Sequence, residues 1–125
     1  MVKSQKLRQD VPHSPQNCAA LDVNYLNQTT FGDIALRTEI IGLFGAQVKA
    51  VRTQLLLPIN HKAWSYLTHT LKGAAAAVGA QQLAALADMW GHSSPPHTQT
   101  ARIACESQLT LAMAHFNRIA DTLSV

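Results

Sequence analysis

The chain has 125 residues, which fits one domain and excludes an enzyme with separate nucleotide and substrate lobes. Hydrophobic residues make up 47% and charged residues only 14%, so a core can form without staples and a disordered chain is excluded. The net charge of +3 is too weak to call for nucleic acid, and Lys3, Lys6 and Arg8 contribute to it from the N-terminal segment rather than from a basic patch with aromatics between the charges.

Residues 1–20 are polar, carry Pro12 and Pro15, and show no helical period, so they read as a tail. The domain is expected over 21–125. Residues 21–28 suit a short helix with Asp22 near its start and Leu21, Tyr25 and Leu26 as docking side chains. Thr29, Thr30, Phe31 and Gly32 then break the pattern. Asp33 is placed to cap a long helix over about 34–56, whose stripe is Ile40, Phe44, Val48, Val51 and Leu55. Pro58 closes that segment. The next helix is predicted from after Asn60 to Val78, with Trp64, Leu67, Leu71, Ala74, Ala75 and Val78 on one side and Gly79 as its stop. A shorter helix follows over about 80–90, with Leu83, Leu86, Ala87 and Trp90 facing one way. The last runs from about Thr98 to Leu123, on the stripe Cys105, Leu109, Ala112, Phe116, Ile119 and Leu123. No strand pattern and no internal repeat is present. The fold class expected is all-α: an antiparallel up-down four-helix bundle with a short extra N-terminal helix.

The two cysteines, Cys18 and Cys105, make no disulfide framework, and Cys105 reads as a buried free thiol. No apolar run reaches the roughly 18–20 residues that cross a bilayer, and no apolar stretch follows the N-terminal charges as in a signal peptide. A cytoplasmic location with no membrane partner is expected.

The chemistry sits in Thr68-His69-Thr70-Leu71-Lys72-Gly73-Ala74-Ala75. At about 100° per residue, His69 points roughly 180° from the stripe of Leu67, Leu71 and Val78. Lys62, Ser65, Lys72, Gly73 and Ala76 share its side of the helix. A mid-helix glycine costs stability. At Gly73, one turn after His69, it leaves room for something large to reach the imidazole. A neutral imidazole is a nucleophile, and a nearby ammonium suits phosphoryl transfer, which needs positioning and positive charge more than covalent machinery. No P-loop, kinase glycine loop or acidic Mg²⁺ cluster is present, so a second protein would have to load the histidine. The remaining histidines (His13, His61, His92, His97 and His115) share no ligand spacing. Glu39 and Glu106 lack the partner histidine of a bundle di-metal site, so no metal is expected.

The run His69-Thr70-Leu71-Lys72-Gly73-Ala74-Ala75, with Val78-Gly79-Ala80 and Leu83-Ala84 after it, closely resembles the histidine-containing phosphotransfer (HPt) domain, whose signature is H-x-L-K-G-[SA]-[AS]. Phe31-Gly32-Asp33 and Leu43-Phe44 look like stand-alone bacterial members, and the resemblance covers about residues 21–123. It implies a four-helix bundle whose histidine exchanges a phosphoryl group with receiver-domain aspartates of response regulators or hybrid histidine kinases. His69 would be phosphorylated, at Nε2, with Lys72 as electrostatic partner and Gly73 as the clearance residue. Lys62, Ser65 and Ala76 would form the rim that a partner touches. No cofactor would belong to this chain, since Mg²⁺ would sit in the partner's receiver pocket. A monomer without autokinase activity is expected. Some members carry a glutamine on the following helix that hydrogen-bonds the imidazole; near that distance this sequence has Trp90, Gly91 and His92. Gln81 and Gln82 offer the residue type at a poor position. Two other classes compete. A sensor-kinase dimerisation helix pair would carry an acidic residue where Thr70 stands. A helical adaptor would bind signalling proteins without transferring phosphate.

Overall fold

A computed structural model describes residues 19–123. Five helices follow in chain order: α1 (Val23–Thr29), α2 (Ile34–Leu55), α3 (His61–Val78), α4 (Gln81–Gly91) and α5 (Gln99–Thr122). The described residues contain no strand, so the chain is all-helical there. The expected tail lies outside the described residues as far as residue 18, and Cys18 with it. The carbonyl of Ala19, the first described residue, accepts from the Gln82 N–H at 3.0 Å.

Local capping explains where the helices begin. Asp33 accepts from the Leu36 N–H at 3.1 Å, Asn60 from Ala63 at 2.8 Å, and Thr98 from Ala101 at 3.1 Å. Each satisfies one of the first N–H groups that a helix leaves without a carbonyl. Asp22 caps α1 in the same way, at 3.0 Å from the Tyr25 N–H. Helix α4 has Ala80 at its N-cap and no side-chain cap. Its entry is set instead by Gly79, which ends α3 in the left-handed conformation at φ 82°. The Asp22 N–H reaches the Gly79 carbonyl at 2.8 Å, which pins the start of α1 to the α3–α4 turn.

Two aromatic pairs tie the helices together. Phe44 of α2 and Phe116 of α5 have ring centroids 5.2 Å apart, and Trp64 of α3 and Trp90 of α4 lie 5.8 Å apart. Around them pack Val48, Leu55, Leu71, Leu83 and Leu109, all fully buried. Burial of each such side chain contributes about 1.5–3 kcal/mol. The predicted stripes are the observed core, with Ile40, Ala74, Cys105, Ile119 and Leu123 only half-buried at its edge. Of the three side chains predicted to dock α1, Leu21 and Leu26 are buried. Tyr25 is not: it stays exposed, and the edge of its ring lies against Gly79.

Candidate functional site

His69 is exposed on α3, while its neighbour Thr68 is 2% exposed. The burial of Thr68 is satisfied locally, because its hydroxyl donates to the Ser65 carbonyl at 3.2 Å. Among the described residues the His69 ring makes no hydrogen bond. It lines an open groove of about 220 Å³ between α3 and α4. Ser65, His69 and Lys72 form the α3 side. Asp88, Gly91 and the α4 C-cap residue His92 form the other.

Two contacts of Asp88 organise the groove. Its carboxylate takes the Lys72 ammonium at 2.8 Å. Its backbone carbonyl lies 2.7 Å from Nδ1 of His92, and the same nitrogen is 3.9 Å from the carboxylate. A carbonyl oxygen can only accept, so Nδ1 of His92 carries the proton of this bond. The chain around His92 is held from beneath by Trp64, whose indole N–H donates to the Trp90 carbonyl at 2.9 Å and the Ser93 carbonyl at 3.1 Å.

The two glycines near the site differ in character. A Cβ on Gly91 would stand 3.4 Å from the Thr68 hydroxyl, an ordinary packing contact against α3. A Cβ on Gly73 would meet nothing within 4 Å. No internal packing asks for glycine at 73.

The structure thus brings together three of the residues expected at the site: His69, Lys72 and Ser65. Lys62, Gly73 and Ala76 are exposed on α3 but do not line the groove. Gln81 and Gln82, offered by residue type alone, are used elsewhere. The Gln81 amide donates to Asp22 at 3.1 Å, and Gln82 pairs with Nδ1 of His115 at 3.2 Å. Asp88 was not anticipated from the sequence, and His92 entered only as a histidine without ligand spacing and as a residue near the place of the absent glutamine. The available signal was their spacing of four on a helix that follows the histidine helix.

Cys105 is a free, half-buried thiol, and burial pushes its pKa above the ordinary thiol value. Among the described residues no group of three or more His, Cys, Asp or Glu side chains converges as a metal site, and no helix is long and apolar enough to cross a membrane. Against protein-family models, curated proteins and solved structures, the chain matches none.

Proposed function

We propose that the chain is a histidine phosphotransfer protein, relaying a phosphoryl group between His69 and receiver-domain aspartates in a two-component phosphorelay. The observation that carries this reading is an exposed imidazole without an internal hydrogen bond, sharing an open groove with a lysine one turn away. The resemblance of residues 69–84 to the HPt signature supports it. On this reading α2 to α5 form an antiparallel up-down four-helix bundle with α1 as the extra helix. The protein works as a cytoplasmic monomer.

The transfer balances without a cofactor on this chain. The Nε2 lone pair of neutral His69 forms the N–P bond as the P–O bond to the partner's aspartate breaks. The bonding pair leaves on the carboxylate oxygen, and Nδ1 keeps its proton. The transition state is loose, so placement and charge do most of the work. Lys72 stabilises the phosphoryl oxygens, and the open space over Gly73 admits the receiver domain. Lys62, Ser65 and Ala76 form the rim it touches. Mg²⁺ belongs to the acidic pocket of the partner. No nucleotide-binding motif is present for autophosphorylation.

One observation favours a second reading, a helical adaptor that binds signalling proteins without transfer. The Lys72 ammonium is already paired with Asp88, which weakens its pull on an incoming phosphoryl group. Labelling separates the two. The protein is incubated with a phosphorylated receiver domain, and acid-labile, base-stable label is sought. Transfer predicts label on the wild type and none on His69→Gln. Partner binding with no label supports the adaptor. Label from ATP alone points to a kinase instead.

A further inference from the structure

The groove holds a second imidazole whose geometry is set in advance. His92 closes α4, and its Nδ1–H is committed to the Asp88 carbonyl at 2.7 Å. Nε2 is then the ring atom left to meet a ligand, on a side chain that is 79% exposed. The charged and titratable groups that share the groove with it are His69 and Lys72 of α3 and Asp88 of α4. Their balance is informative. Lys72 and Asp88 cancel as an ion pair. A phosphoryl group brings about −1.5 to −2 charges at neutral pH. Arriving at His69, it would find the groove's one permanent cation already answered by a carboxylate. An imidazole is the side chain that can become cationic as that charge arrives.

We propose that His92 is the phosphoryl-holding residue of this groove: as an imidazolium it donates Nε2–H to an oxygen of the phosphoryl group on His69. The inference rests on the phosphotransfer reading and deepens it. His92 takes up a proton from solvent as the phosphoryl group arrives and releases it when the group leaves. Nδ1 stays bound to the Asp88 carbonyl in both states, so the ring does not have to turn. His92 does not form or break the N–P bond, so it is a positioning residue and not the acceptor.

The test is phosphoryl exchange with N-phosphoimidazole in excess imidazole, followed by phosphorus NMR. The same N–P bond stands on both sides of that equilibrium, so its constant reads the surroundings of the phosphoryl group. His92→Leu should lower the constant for forming phospho-His69 about threefold to fivefold, the range of an exposed charge contact. His92→Lys should restore it, and His92→Gln should fall between. None of the three changes touches the core, since the side chain is exposed, and nitrogen NMR of the wild type should show His92 Nε2 gaining a proton on phosphorylation. An unchanged constant in His92→Leu overturns the proposal. So does an Nε2 that stays unprotonated, or label that persists in His69→Gln and maps to His92. A wild type that takes no label from either N-phosphoimidazole or a phosphorylated receiver overturns the phosphotransfer reading itself, a result distinct from a silent His92.

Discussion

The ammonium of Lys72 stands 2.8 Å from the carboxylate of Asp88, across the groove that holds His69. Both side chains are partly exposed, so the pair itself contributes little to stability, at most about 1 kcal/mol. Its weight is electrostatic and local. Asp88 holds Lys72 over the groove and at the same time opposes any anion that enters. Lys72→Ala should therefore leave the melting temperature nearly unchanged and slow label uptake from a phosphorylated receiver by about tenfold. Asp88→Asn should move uptake the other way, since it removes the opposing charge and keeps a group that can contact Lys72. Transfer slowed equally by both changes would show that the ion pair acts only as a scaffold.

Gly73 offers a cleaner separation of stability from function. A methyl group there enters open space in the middle of a helix. Gly73→Ala should stabilise the protein by about 0.5–1 kcal/mol, because alanine loses less conformational freedom on folding. For a domain of this size that raises the melting temperature by about 3 °C. Gly73→Leu should fold as well and, on the phosphotransfer reading, slow transfer by filling the open space beside His69. Unslowed transfer in the leucine variant removes the clearance role.

Much of this was legible before the fold, and the reason is range. An N-cap acts within one turn, so Asp33, Asn60 and Thr98 announce their helices from sequence alone. The exposure of His69 follows from the 3.6-residue period and the apolar stripe on the opposite side. Asp88 and His92 were hidden because they line the groove of His69 from the far side, at the end of α4. The meeting of Asp88 with Lys72 depends on how α3 and α4 cross, and periodicity carries no information about that. The same holds for Tyr25. Its spacing suits docking, but Gly79 leaves room for only the edge of the ring.

Gly79 is the position where glycine is required by conformation and by space together. Its φ is 82°, and a Cβ would stand 3.0 Å from the Asp22 carbonyl and 3.2 Å from the Tyr25 ring. Gly79→Ala should cost about 1–3 kcal/mol through left-handed strain and displacement of α1. Thermal melting measures the cost, and amide exchange at Asp22, which donates to the Gly79 carbonyl, should speed up first. Unchanged exchange at Asp22 would mean that α1 is held by Leu21 and Leu26 alone.

Cys105 gives a prediction about reactivity. Burial raises its pKa, so less thiolate is present at a given pH than for an open cysteine. In a Cys18→Ser background, iodoacetamide at mildly alkaline pH should alkylate Cys105 more slowly than a model peptide thiol. Denaturant should remove the difference. Equal rates in the folded protein would show that the half-buried thiol is open to reagent.

Trp64 joins the core to the site. Its indole N–H is shared between the carbonyls of Trp90 and Ser93, which bracket His92 in the chain. Trp64→Phe keeps an aromatic ring against Trp90 but deletes the donor. The Trp90 carbonyl still accepts from the Ser93 N–H at 3.1 Å and the Ser93 hydroxyl at 3.0 Å. The Ser93 carbonyl loses the indole. The loss should cost about 1–3 kcal/mol, read as a lower denaturation midpoint without a change in slope. The end of α4 should loosen with it, so the His92 ring signals should shift and broaden while those of Lys72 stay in place. Stability lost with the His92 signals unmoved would show that the indole supports the core alone and that α4 orders its own C-terminus.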